Sequence, residues 1–146
     1  MPKARKKQLT VMVFGTFDVV HKGHGHFFKQ ARRLGKKLVV SIARDINVKK
    51  IKGARPWNSE KKRLAAIKKL GIADRVILGD IGNYMHHIAK VAPDLIALGY
   101  DQRAYTKTLR RDLRAAGLKT RVVRLKPHRP HVYKSSKLKA KMLKSF

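Results

Sequence analysis

The chain has no cysteine among its 146 residues. Disulfides and thiolate-held metals are therefore excluded, and the composition fits a reducing compartment, the cytoplasm. No apolar run approaches the roughly 18 residues of a membrane-spanning helix, so no span is expected. Residues 1–9 are basic but lack the apolar stretch of a secretion signal. They read as a solvated basic tail, with a targeting or nucleic-acid-binding arm as the other reading. Acidic residues are scarce: 8 Asp and Glu stand against 37 Lys and Arg, a formal net charge of +29. A well-behaved small domain carries a net magnitude of about 2–8. What is present is enough for folding, since 43% of the residues are hydrophobic and the length suits one domain with a real core.

The location of the charge says more than its size. Basic residues recur along nearly every predicted helix: Lys29, Arg32, Arg33, Lys36 and Lys37; Lys61, Lys62, Arg63, Lys68 and Lys69; Arg110, Arg111 and Arg114. Ordinary surface helices mix signs, because opposite charges at i,i+4 help and like charges cost. The remaining acids, Asp18, Asp45, Glu60, Asp74, Asp80, Asp94 and Asp101, lie mostly at element edges and in motifs. Asp112 alone reads as an ordinary acid on a helix face. The pattern suggests a surface engineered or selected to be positive over an existing scaffold. The other reading is a natural nucleic-acid-associated protein. Either way the field attracts polyanions such as RNA or an acidic protein partner.

Strand and helix signals alternate. Thr10–Phe14, Leu38–Ala43, Arg75–Leu78, Leu95–Leu98 and Thr120–Leu125 read as strands. Lys22–Leu34 reads as a helix ending at Gly35. A second helix, capped by Asn58 or Ser59, runs to Leu70 and closes at Gly71. Asn83–Val91 and Gln102–Ala116 read as further helices. Arg44–Trp57 carries Gly, Pro and five basic residues without a sustained period, and reads as a loop. Lys126–Tyr133 is a second loop, and Ser135 starts a short terminal helix. The expected architecture is a single-domain α/β Rossmann-like fold, a five-stranded parallel sheet with helices on both faces. The domain is expected over residues 10–139, with 140–146 as a C-terminal tail. Ligands of such sheets bind beyond the carboxyl ends of the strands, where strand order reverses.

Residues 15–24, Gly-Thr-Phe-Asp-Val-Val-His-Lys-Gly-His, stand where the first strand hands over to a helix. Free backbone N–H groups and the positive helix end favour phosphate there. His21 and His24 can donate to phosphate oxygens, and Gly23 lets the backbone come close. Lys52 or Arg44 can close over a triphosphate, and Ser135 and Ser136 offer hydroxyls to the same anion. Phosphoryl and nucleotidyl transfer need this kind of positioning and charge more than covalent help. Other readings stay open. His21, His24 and His26 can be drawn as a zinc cluster or as packing residues. Trp57 is a loop anchor or a platform for a flat ring. Asp45 contacts a nucleoside or caps its loop. His86 and His87 read as lying on a solvated helix.

Gly15-Thr16-Phe17-Asp18 with His21-Lys22-Gly23-His24 resembles the signature of the HxGH nucleotidyltransferases, the cytidylyltransferase-like superfamily. Lys52-Gly53, the Glu60…Arg63 helix start, Gly99-Tyr100-Asp101-Gln102 and Tyr133-Lys134-Ser135-Ser136-Lys137 fall in the same order and spacing. The likeness runs from about Val11 to Leu138. It is strongest to archaeal FAD synthases, then to glycerol-3-phosphate cytidylyltransferases. It implies transfer of AMP from ATP, or CMP from CTP, to a phosphorylated acceptor such as FMN or glycerol 3-phosphate, with release of pyrophosphate. It implies His21 and His24 as the catalytic pair with Lys52 on the transferring phosphates. Thr16, Phe17, Gly23, Arg63, Asp101, Ser135 and Ser136 are implied to hold the nucleotide. Magnesium rides on the triphosphate, with no dedicated protein ligands, and homodimers are common in the family. The lead-in to the last motif departs from the cytidylyltransferase pattern: it reads Arg129-Pro-His-Val-Tyr133-Lys134. The contrary expectation is a catalytically silent polycation that binds RNA or an acidic protein.

Overall fold

A computed structural model of the chain describes residues 9–18, 22–99, 102 and 108–126. Short runs of Val, Ile and Leu form five strands: β1 (Thr10–Gly15), β2 (Lys37–Ile42), β3 (Arg75–Leu78), β4 (Leu95–Leu98) and β5 (Arg121–Arg124). They pair in parallel in the order β3-β2-β1-β4-β5. Between them lie α1 (Lys22–Leu34), α2 (Asp45–Lys52), α3 (Glu60–Leu70), α4 (Tyr84–Val91) and α5 (Leu109–Ala115).

Strand side chains alternate between two cores, as the pleat requires. Val11 and Val13 of β1 join Leu38, Val40 and Ile42 of β2 on one face, under Phe28 and Ala31 of α1 and Ile67 of α3. Met12 of β1 joins Ile96 and Leu98 of β4 on the other, under Ile88 of α4 and Leu109 and Leu113 of α5. Right-handed crossovers explain the division. The chain first steps outward from β1 through β2 to β3, which puts α1 and α3 on one face. It then returns to the other side of β1 for β4 and β5, which puts α4 and α5 on the opposite face. The reversal point is therefore the gap between β1 and β4.

The five parallel strands and two helical layers match the expected fold. Ser59 caps α3, its Oγ accepting from the Lys62 N–H at 3.3 Å, and Gly71 closes the helix at φ 66°. Two expectations change. Within Arg44–Trp57, residues Asp45–Lys52 are helical and end at Gly53, φ 80°. Only Val48 of this helix is buried, while Ile46 and Ile51 are exposed, so no apolar period marks it in the sequence. Gln102 is not helical, because its N–H turns back to the Gly99 carbonyl at 3.1 Å; the described helix of that region is α5. Gly35 follows α1 but is not among the glycines of positive φ. A side chain there would drive into the Leu9 carbonyl, so the residue is needed for close approach to β1. Residues 1–8 of the basic tail, the C-terminal tail, and the helix expected to start at Ser135 lie outside the described residues. Among the described residues no helix is long and apolar enough to cross a membrane.

Candidate active site

The first wall of the reversal point is the turn that follows β1. Phe17 adopts φ 51°, a left-handed conformation rare for an aromatic residue. Its ring folds back over Gly15, where any Cβ would collide with it. The ring is buried against Phe28 at 5.2 Å, Phe27 at 6.2 Å and the edge of His24 at 5.3 Å between centroids. The Gly-Thr-Phe run is therefore one device. Glycine leaves room for the ring, and the ring forces the backbone of Thr16 and Phe17 into a fixed turn beside the start of α1.

Arg63 braces that turn from beneath. Its side chain has no exposed surface, and each of its three nitrogens donates a hydrogen bond. Nη1 donates to the Thr16 carbonyl at 2.9 Å, Nε to the Asn58 carbonyl at 3.0 Å, and Nη2 to Asp45 Oδ1 at 2.6 Å. Asp45 and Glu60 exchange bonds at their helix starts. The Asp45 N–H donates to Glu60 Oε1 at 2.9 Å, and the Glu60 N–H to Asp45 Oδ2 at 3.2 Å. Arg44 Nε completes the set on Glu60 Oε2 at 2.9 Å. Buried Asp18 holds the intervening loop. Its carboxylate accepts from the Trp57 N–H at 2.7 Å and the Asn58 N–H at 2.8 Å. Two acidic helix starts, complementing the helix dipoles, are thus locked together around one buried guanidinium.

The opposite wall follows β4. Pairing of β1 with β4 ends at Val13 and Ala97. Just beyond, the Gln102 side chain lies between the strands. Nε2 donates to the Phe14 carbonyl at 3.0 Å, and Oε1 accepts from the Gly99 N–H at 3.0 Å. Arg124 Nη1 reaches over from β5 to the carbonyls of Gly99 at 2.8 Å and Gln102 at 3.0 Å.

The expected site residues stand as follows. Thr16 and Phe17 form the turn, Gly23 lies in the first turn of α1, and His24 packs on Phe17. Lys52 is the exposed last residue of α2. Arg63 meets the site through the Thr16 carbonyl. His21, Asp101, Ser135 and Ser136 lie outside the described residues. Among the described residues no group of three His, Cys, Asp or Glu is placed to hold a metal. The Trp57 backbone is anchored on Asp18, and the residue as a whole is 46% exposed. Asp45 neither faces outward nor caps its loop alone; it pairs with Arg63.

Asp18, Asn58, Glu60 and Gln102 carry the geometry without having been named as site residues. The motif placement of Asp18 and Gln102 was the available signal. His87 is also a correction. It is buried, shares a 2.7 Å hydrogen bond with Ser41 Oγ, and lies 4.0 Å from Asp80. Burial lowers its pKa below that of a free imidazole. His86 is the solvated member of the pair and binds Asp80 at 3.0 Å, which holds the Asp80 carboxyl below its usual range. Asp112 is no ordinary surface acid, since it accepts from Tyr84 Oη and from Thr108 Oγ1. A depression lined by Leu9, Arg33, Pro93, Asp94, Leu118 and Arg121 lies at the opposite, amino-terminal edge of the sheet, away from this chemistry.

Comparison with known proteins identifies the family and the fold. A family model described as cytidylyltransferase-like matches residues 12–141. A FAD synthase of Pyrococcus abyssi is 40% identical over 137 residues, covering 93% of this chain and 90% of the relative. A FAD synthase of Methanosarcina barkeri is 42% identical over 115 residues, covering 79% and 81%. The crystal structure of a lipopolysaccharide core biosynthesis protein from Thermoplasma volcanium superposes with a TM-score of 0.77 at 38% identity, covering 82% of this chain and 98% of that one. A pantothenate synthetase from Thermus thermophilus, at 16% identity and a TM-score of 0.52, shares the fold alone.

Proposed function

Because the chain belongs to the cytidylyltransferase-like family and is a nucleotidyltransferase, we propose that it transfers AMP from ATP to FMN, forming FAD and pyrophosphate. The observation that carries this is the likeness to FAD synthases over nearly the full length of both chains. A phosphate oxygen of FMN attacks the α-phosphorus, and the bond to the β-phosphate oxygen breaks. The attacking oxygen belongs to an ionised phosphate, so no general base is needed, and catalysis rests on positioning and charge. His24 at the start of α1, with His21, donates to the α-phosphate oxygens as charge builds in the transition state. The fixed Thr16–Phe17 turn presents backbone N–H groups to the nucleotide. Lys52 reaches the transferring phosphates. Asp101, Ser135 and Ser136 complete the nucleotide contacts. ATP arrives as its magnesium complex. The carboxylates described at this edge, Asp18, Asp45 and Glu60, already serve N–H groups or guanidinium, which favours an ion carried in on the triphosphate. Trp57, an exposed residue, offers its indole to the flat flavin ring.

The test mixes the protein with ATP, magnesium and FMN and follows FAD and pyrophosphate. A parallel arm supplies CTP and glycerol 3-phosphate. FAD from the first arm, reduced about 10²–10³-fold by His21→Ala or His24→Ala, is the expected result. Product in the second arm alone would reassign the chain as a cytidylyltransferase.

A second property has its own support. Asp101 lies outside the described residues, and each of the other seven acids has an internal partner: Asp18, Asp45, Glu60, Asp74, Asp80, Asp94 and Asp112. The basic residues of the helix faces, such as Lys29, Arg33, Lys61, Lys62, Lys68, Lys69, Arg110 and Arg114, are exposed. The acids that remain are those the scaffold uses, which supports a surface made or selected positive around a kept enzyme. We infer that this surface also binds RNA non-specifically. Affinity for single-stranded RNA is expected to fall steeply with salt, with a log–log slope of about −0.7 per phosphate contacted, and to be indifferent to His24→Ala. Salt is expected to raise the melting temperature by screening self-repulsion.

A further inference from the structure

We propose that Gln102 is a positioning residue that sets the nucleotide crevice by standing in for a sheet bond between β1 and β4. The inference deepens the nucleotidyltransferase reading and rests on it. In a parallel pair each carbonyl and N–H facing the neighbour is normally joined strand to strand. Here the β1–β4 ladder stops at Val13 and Ala97. The next groups, the Phe14 carbonyl and the Gly99 N–H, are joined through the Gln102 carboxamide, which donates to one and accepts from the other. The strands are thereby parted by the width of one amide at the topological reversal, where sheets of this kind admit ligands.

A primary amide is the chemistry this place demands, because one planar group must present a donor on one side and an acceptor on the other. A carboxylate of the same shape has no donor for the Phe14 carbonyl, and an alkyl group serves neither side. The same residue ties its own loop. Its N–H closes a turn onto the Gly99 carbonyl, and Arg124 clasps both ends of that turn. Tyr100 and Asp101 are the residues between those ends. The prediction is that the Gln102 amide, acting through the crevice and not by touching phosphate, governs how tightly and how selectively the base and ribose are held.

The experiment compares wild type, Gln102→Glu and Gln102→Leu, with binding of ATP and of CTP measured by calorimetry and turnover measured separately. About tenfold or greater loss of ATP affinity is expected in both variants, with narrowed discrimination between ATP and CTP. The rate at saturating ATP should change far less, giving a KM effect without an equal kcat effect. Arg124→Met loosens the same turn from an exposed position and covers the case in which a Gln102 variant does not fold. Its ATP affinity should fall in the same direction with its melting temperature nearly unchanged. Folded variants that bind ATP and CTP as wild type does overturn the proposal. Calorimetry needs no acceptor, so the two readings fail separately. FAD formation with unaltered binding in the variants sinks this inference alone. Altered binding in the variants, in a protein that forms no FAD, sinks the FMN assignment alone.

Discussion

The two walls of the crevice are built from different forces. The wall beyond β1 is charged and sealed. Arg63, fully buried, joins Asp45, Asn58 and Thr16, while Asp18 and Glu60 pin the loop and helix starts around it. The wall beyond β4 is held by a neutral amide and by Arg124, an exposed cation bound to carbonyls. A buried guanidinium is expensive to disturb because each lost contact leaves a desolvated group behind. A half-buried amide and a surface arginine exchange partners with water at much lower cost. The difference teaches which wall sets stability and which can tune recognition. On the proposed function, the wall beyond β1 serves the phosphates and is the rigid one, and the wall beyond β4 serves the nucleoside and is the adjustable one.

The most damaging way to break this contrast is Arg63→Ala. It is expected to cost about 3 kcal/mol, the low end for breaking a buried pair, because the Asp45 side chain keeps 24% of its exposure. Chemical denaturation measures it, and a loss as small as that of a surface arginine would refute the sealed-wall account. Gly15→Ala should come next, at about 1–3 kcal/mol, since the new methyl must displace the Phe17 ring and with it the turn. Its activity should fall further than its stability alone explains, and thermal unfolding alongside turnover separates the two. Arg124→Ala sharpens the contrast from the other side. Stability should stay within about 1 kcal/mol of wild type while KM for ATP rises.

The smallest effect lies away from both walls. Burial holds His87 below the 6.5 of a free imidazole, so the unfolded chain takes up a proton more readily than the folded one. The stability owed to neutral His87 is whole above pH 6.5 and drains away as pH falls through the lowered folded value. Melting temperatures of wild type should therefore decline on acidification from pH 6.5, and His87→Gln should flatten that decline. Parallel curves for the two proteins would remove His87 from the account.

Much of the fold was legible because parallel strands buried on both faces leave a local mark, the aliphatic runs bounded by glycine and polar residues. The cap at Ser59 and the stop at Gly71 are likewise local chemistry, and both stand where expected. Helix α2 was not legible. It buries Val48 alone, and its start is secured by Glu60 from another helix, so nothing within the segment announces it. The adjacent histidines at 86 and 87 look alike in sequence. Only the approach of β2, bringing Ser41 to one of them, makes His87 a buried group and leaves His86 in water. Asp112 was misjudged for the same reason, since its partner Tyr84 belongs to a different helix.

The sequence by itself determined the class of the protein. Order and spacing of the Gly-Thr-Phe-Asp, His-Lys-Gly-His and Gly-Tyr-Asp-Gln stretches, set between strand and helix signals, are local properties of the chain. So are the excess of positive charge and the absence of cysteine. Tertiary structure alone decided how the acids and arginines are used. Arg63 is far enough from Thr16 in the chain, and Gln102 from Phe14, that their bonds exist only after the strands take the order β3-β2-β1-β4-β5. Charge partners and inserted amides are set by which groups share a small, dry volume. That is a consequence of how the strands are ordered and packed, which no local pattern carries.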